Sequence, residues 1–96
     1  MKVPRLSGQE ITAEIAKLPG WSHEGGKLHR VFTLKDFVHA WSFMSGCALA
    51  AESMNHHPEW SNVWNRVTVD LSTHDAGGIT AKDFELARRM SHLFGS

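Results

Sequence analysis

The run Glu52-Ser-Met-Asn-His-His-Pro-Glu-Trp-Ser-Asn-Val-Trp64 places an acid, two adjacent histidines, a proline and two tryptophans within thirteen residues. Histidine is the one side chain whose unperturbed proton equilibrium lies between pH 5 and 8. Two neighbouring imidazoles therefore suggest general acid and base chemistry at His56 and His57. Pro58 restricts the residue before it to extended backbone. This predicts that a helix running through Glu52 stops at about His56, leaving both rings at a helix-to-strand corner. A third histidine, His74, ends an alternating stretch and is soon followed by Gly77-Gly78, so it could join the other two in one site.

Each of these residues also has a plainer reading. His56 could cap a helix C-terminus, where the partial negative charge favours a cation. His57 would then be a corner residue and His74 a strand-end residue. Glu52 lies four residues before His56, on the same helical face if the helix continues, and could orient an imidazole or simply face water. Asp75 is either a turn former or a site carboxylate. Asp83 is most simply the capping partner of Thr80. Three histidines invite a zinc reading, but their spacing matches neither His-Glu-x-x-His nor a cysteine-histidine finger, and no metal is expected. His23, His29, His39 and His92 fall at ordinary surface or edge positions. Trp41 reads as core, while Trp60 and Trp64 flank the corner and could wall a flat pocket suited to a bicyclic ligand.

The elements that must position these residues follow from periodicity. Ser7-Gly-Gln-Glu10 is a capping box, with Ile11, Ile15 and Leu18 at helical spacing before Pro19-Gly20. Trp21 to Glu24 and Lys27 to Thr33 read as a hairpin around Gly25-Gly26. Thr33-Leu-Lys-Asp36 is a second capping box and opens a central helix over Leu34 to Asn55. One apolar stripe on it runs through Phe37, Ala40, Trp41, Met44, Ala48 and Ala51; a second runs through Phe43, Cys47, Ala50 and Met54. So wide an apolar arc predicts cover from two sides, a sheet and a neighbour such as another subunit. A short strand from Glu59 to Trp64, a turn or bulge at Asn65-Arg66, and a half-buried strand from Arg66 to Thr73 follow. Thr80-Ala-Lys-Asp83 then caps a last helix lined by Phe84, Ala87, Met90, Leu93 and Phe94. The order α-β-β-α-β-β-α predicts an α+β, two-layer sandwich: a four-stranded antiparallel sheet with three helices on one face.

The chain has 96 residues, which predicts one domain over residues 1–96, and a domain so small commonly self-associates. Ten acidic residues balance ten basic ones, which argues against a strong electrostatic grip on nucleic acid or an anionic membrane. The single cysteine, Cys47, allows no internal disulfide; without a signal-peptide pattern, the expected compartment is the reducing cytoplasm. No apolar run approaches the length that crosses a bilayer.

Taken together, Glu52, His56-His57-Pro58, Trp64, His74 and Asp83 at these spacings closely resemble the signature of the pterin-4a-carbinolamine dehydratases. Pro58-Glu-Trp60, Asn62-Val-Trp-Asn65 and Thr73-His-Asp-Ala-Gly-Gly-Ile-Thr80 are similar too. The resemblance runs from about Leu18-Pro-Gly-Trp21 to the last helix. It implies the same four-stranded sheet with three helices, and homodimers or homotetramers. The implied activity is that of a hydro-lyase, converting 4a-hydroxytetrahydropterin to quinonoid dihydropterin and so recycling tetrahydropterin for aromatic amino acid hydroxylases. Carried over by position, His56, His57 and His74 are catalytic, and Pro58, Thr73, Asp75 and Ala76 border the pterin. Some members have glutamate where this chain has Asp75. Some animal members also act as a dimerisation cofactor for a transcription factor, a role to which no feature of this sequence points.

Loss of water needs a proton delivered to the departing hydroxyl and one removed from the ring nitrogen system. No redox step is involved, so no cofactor is expected. Histidines suit both transfers: His56 and His57 for the protons, His74 to hold or polarise the hydroxyl, Glu52 to orient. Which ring is acid and which base stays open. Two other function classes remain at this point: an interaction module using the doubly apolar helix, and a small metalloprotein.

Overall fold

The structure, a computed structural model, describes residues 2–95. Met1 and Ser96, the ends of the expected single domain, lie outside the described residues. The elements are α1 (Gly8–Ile15), β1 (Ser22–Glu24), β2 (Lys27–Thr33), α2 (Phe37–Met54), β3 (Glu59–Val63), β4 (Arg66–Leu71), a 3-10 turn (His74–Ala76) and α3 (Ala81–Phe94). The four strands form one antiparallel sheet in the order β1-β2-β4-β3. Two hairpins meet at its centre, where β2 pairs with β4 from Leu28 opposite Leu71 to Thr33 opposite Arg66. This is the expected α+β sandwich.

Alternation along the strands decides which face is covered. Leu28 and Phe32 of β2 and Val67, Val69 and Leu71 of β4 are buried. They join one core with Ile11 of α1, Ala40, Phe43, Cys47 and Ala51 of α2, and Phe84, Leu86, Ala87 and Met90 of α3. All three helices therefore lie on that face. Burying each such Leu, Val or Phe side chain is worth about 1.5–3 kcal/mol. The opposite face carries polar pairs instead, such as His29 Nδ1 with Asp70 Oδ1 at 2.9 Å.

Aromatic rings form a cluster within the core. Phe32 meets Trp21, Phe43 and Phe94 at centroid distances of 5.8, 4.7 and 5.1 Å. The Arg30 guanidinium lies over Phe32 at 4.3 Å, a cation–π arrangement. Gly20 makes room for it: a β-carbon there would fall 2.7 Å from the guanidinium carbon, and the φ of 90° favours glycine in any case.

Several local expectations are corrected. Helix α2 starts at Phe37, not Leu34, because Asp36 rather than Thr33 is its N-cap: the Asp36 carboxylate accepts from the His39 amide at 2.9 Å and faces His39 Nδ1 at 2.7 Å. These contacts hold the Asp36 carboxyl below its usual range, the backbone bond contributing most. The helix ends at Met54, three residues before any effect of Pro58 on His57. Asn55 stops it by turning left-handed (φ 50°), and the His56 amide reaches back to the Ala51 carbonyl at 3.1 Å. The β3–β4 turn is Trp64-Asn65, with Trp64 at φ 51°, and Arg66 is already paired with Val63.

Trp41 is not core but 59% exposed, stacked on Phe37 with ring centroids 6.3 Å apart. Val38, Trp41 and Leu49 step along the side of α2 opposite buried Ala40, Cys47 and Ala51, and Leu49 is 75% exposed. The wide apolar arc read from the sequence is thus covered on one side only within this chain.

Candidate active site

Asp83 is the hub that links the corner to the distant loop. It is fully buried at the third position of α3, within the capping box that Thr80 and Asp83 form. Its Oδ2 accepts from the Thr80 amide at 2.9 Å and from the Thr73 hydroxyl at 2.8 Å. Its Oδ1 lies 2.5 Å from Nε2 of His56, itself buried. A carboxylate offers only acceptors, so His56 Nε2 is the protonated nitrogen. Thr73 has one hydroxyl proton and gives it to Asp83, so the 2.8 Å contact between the two threonine oxygens is donated by Thr80. Thr80 in turn accepts from the Lys82 amide at 3.2 Å. Every proton in the chain Thr80, Thr73, Asp83, His56 has one direction. In the neutral ring, Nδ1 of His56 is then left as the acceptor. Among the described residues no buried side-chain nitrogen or oxygen lacks a partner, so this nitrogen, which bonds no protein atom, must touch solvent.

Around His56 lies a cleft of about 430 Å³ lined by Asn55, His56, His57, Glu59, Ser72, Thr73, His74, Asp75 and Lys82. Its size falls within the usual range for small-molecule sites. The left-handed turn at Asn55 ends the helix, and both corner histidines line this cleft. His57 is exposed, and its Nε2 contacts Glu52 Oε1 at 2.8 Å. His74 is 84% exposed in the 3-10 turn, with Nε2 3.9 Å from Glu59 Oε1. Lys27 Nζ, reaching across the sheet from β2, holds the Glu59 carboxylate at 3.0 Å.

The fold brings together His56, His57, His74, Thr73 and Asp75 as cleft-lining residues. Pro58 and Ala76 are not among the lining residues. Glu52 partners His57 rather than His56, because the chain leaves the helix after Met54 and the i to i+4 geometry is lost. Asp83 is more than the cap the spacing suggested: it holds His56 as well. Neither Trp60 nor Trp64 walls the cleft. Trp60 packs against the core from β3 and Trp64 is an exposed turn residue. Asn55, Glu59, Ser72 and Lys82 were not singled out from the sequence. For Asn55 a signal existed, since Asn tolerates left-handed backbone better than most residues. For Glu59 it lay in strand alternation, which puts it level with Asp70 on the polar face. Among the described residues no group of three or more His, Cys, Asp or Glu side chains could hold a metal ion, and no helix is long and apolar enough to cross a membrane.

The sequence pattern of the family described as pterin 4 alpha carbinolamine dehydratase matches residues 4–93. A protein of Solibacter usitatus, provisionally named a pterin-4-alpha-carbinolamine dehydratase, is 55% identical over 89 residues, covering 93% of this chain and 94% of its own. One from Mesorhizobium japonicum with the same name is 50% identical over 93 residues, covering 95% of each. Among solved structures, a Brucella melitensis protein described as a transcriptional coactivator/pterin dehydratase superposes with a TM-score of 0.92 at 42% identity. That match covers 95% of this chain and 99% of the other.

Proposed function

The chain belongs to the pterin 4 alpha carbinolamine dehydratase family, and on that premise we propose that it is a hydro-lyase that dehydrates 4a-hydroxytetrahydropterin to quinonoid dihydropterin. The observation that carries this reading is the meeting of three histidines on one cleft, with the buried one locked by Asp83 in a single tautomer. The reaction breaks the C4a–O bond, removes the proton from N5 and forms the C4a=N5 bond, with water as the other product. His56 Nδ1 is the base for the N5 proton. The Asp83 carboxylate keeps Nε2 protonated throughout and stabilises the imidazolium that forms, a task in which fixed orientation and charge act together. His57, steadied by Glu52, delivers the proton that turns the departing hydroxyl into water. His74, on the same cleft, holds that hydroxyl. Thr73 and Asp75 border the ring, and Pro58 and Ala76 shape the backbone beside them. The residues named need no cofactor for these steps.

In this reading the single domain over residues 1–96 works in the cytoplasm, returning pterin to aromatic amino acid hydroxylases. The exposed apolar side of α2 supports assembly as a homodimer or homotetramer, since an uncovered stripe of Val38, Trp41 and Leu49 is costly in water.

The test is turnover of a chemically prepared 4a-carbinolamine, followed by the absorbance of the quinonoid product against the uncatalysed rate. Catalysis by the native chain that is lost in the His56→Ala His74→Ala double variant is expected. A native chain no faster than buffer would overturn the reading.

A further inference from the structure

Beside the cleft lies a second basin of about 330 Å³, lined by Lys2, Val3, Thr73, Asp75 and Lys82. Three of those residues, Thr73, Asp75 and Lys82, also line the cleft itself, so the two spaces share a wall. The N-terminal segment forms the outer side of the basin. It is pinned there by the Leu6 amide, which donates to the Ile79 carbonyl at 2.9 Å. The side chain of Arg5 lies over Gly78, so close that a β-carbon on that glycine would fall 2.7 Å from Arg5 Cδ.

The charges around this space do not cancel. Lys2 and Lys82 line it, Arg5 lies at the adjoining loop, and Asp75 is the one carboxylate. Among the described residues, Lys2, Lys82 and Asp75 have no ion-pair partner within 4.0 Å of their charged atoms. Each of the ten ion pairs joins other groups. Lys82, a half-buried residue on the wall of both spaces with no carboxylate partner, is available to pair with an anionic ligand.

Resting on the pterin reading of the cleft, the chemistry of the ring says what would enter. The reacting carbon C4a and the substituted carbon C6 are separated by N5 alone. A substituent at C6 therefore leaves the ring beside the catalytic groups, not at the far end of the bicycle. With C4a near His56 and His74, a substituent directed along the shared wall of Thr73 and Asp75 would enter the second basin.

We propose that this basin is a subsite for a negatively charged C6 substituent, a phosphate or a carboxylate, and that Lys82 determines the preference. Lys82 stands on the shared wall, so its ammonium meets the substituent while the ring occupies the cleft. Lys2 adds charge at the outer side. The 4a-carbinolamines favoured by this chain then carry an anionic tail in place of a neutral hydroxyalkyl one.

The experiment compares kcat/KM for two carbinolamines that differ only at C6, one with a neutral dihydroxypropyl group and one with its phosphomonoester. The expected ratio favours the phosphorylated substrate by about fivefold at low salt, the size of one partly exposed charge pair. It shrinks as salt is added, falls to about one in Lys82→Gln, and returns in Lys82→Arg. A ratio of one or less in the native chain overturns the proposal, as does a ratio that survives in Lys82→Gln. A parallel arm titrates the oxidised pterins with the same two tails and reads tryptophan fluorescence. If neither carbinolamine is turned over, the dehydratase reading fails. The binding arm then decides the subsite alone, on whether the phosphorylated pterin binds more tightly through Lys82.

Discussion

Nε2 of His56 sits 2.5 Å from Oδ1 of Asp83, and both residues are buried although 27 positions separate them in the chain. His74, assigned to the same reaction, is almost fully in water. The two histidines therefore differ in what their loss does. His56→Ala strands a buried carboxylate, which costs about 3 kcal/mol, and removes a proton acceptor worth about a hundredfold in turnover or more. His74→Ala removes a comparable share of turnover but leaves stability within about 0.5 kcal/mol. Urea denaturation measured beside initial rates separates the two. Equal stability losses would mean that the buried bond contributes nothing particular.

Thr80 makes four connections around the site: its hydroxyl caps α3 and donates to Thr73, its amide donates to Asp83, and its carbonyl accepts from the Asp83 amide. Thr80→Ala keeps the backbone bonds and loses the cap, at about 1 kcal/mol, and it leaves the Thr73 oxygen one donor short. For a chain of this size the melting temperature falls by about 4–8 °C. Thermal unfolding followed by circular dichroism checks this, and Thr80→Ser restores most of the loss because it keeps the hydroxyl.

Cys47 is fully enclosed between α2 and the rest of the core, and burial pushes its thiol up to about 12. In the folded chain almost no thiolate forms at pH 8, so a disulfide reagent reacts only after denaturant is added. The same shift gives a pH dependence. The folded value lies above the ordinary thiol value of 9.0, so the unfolded chain releases this proton first. The contribution of Cys47 to stability is complete below pH 9 and is lost as the pH rises toward 12. Denaturation midpoints measured from pH 8 to 11 should fall less steeply for Cys47→Ala than for the native chain.

Trp41 and Leu49 lie on the side of α2 that nothing in this chain covers. If copies assemble through that side, Trp41→Lys Leu49→Lys yields a slower-associating or monomeric species while the core stays intact. Sedimentation velocity over a range of concentrations reads the mass directly. A native chain already monomeric at high concentration removes the argument for assembly.

Much of the fold was legible because periodicity and capping pointed the same way. Val67, Val69 and Leu71 alternate with polar residues in one short run, and Thr80-Ala-Lys-Asp83 marks the start of α3 beyond ambiguity. The misreadings have local physical causes. Thr33 and Asp36 both offer an oxygen at the start of α2, and spacing alone does not reveal that β2 retains Thr33 in its pairing with Arg66. Trp41 belongs to an apolar stripe, but a stripe does not say whether its cover comes from the same chain. At the site, the histidines were visible as residue types. The Asp83 bond to His56 was not, because it depends on how α3 docks against the end of α2. The resemblance to a known family named Asp83 without saying what it touches.

Helix α3 has consequences at both of its ends. Its first turn supplies Asp83, which holds His56 from beneath the cleft, while Phe94 in its last turn packs on Phe32 and Phe43. Fourteen residues of one helix, about 21 Å long, therefore link the His56 contact to the aromatic cluster. Loosening of the aromatic cluster therefore also loosens the element that holds Asp83 against His56. The exposed turn that carries His74 lies outside this helix and can open locally, whereas the buried His56–Asp83 contact is tied to the packing of α3 against the core.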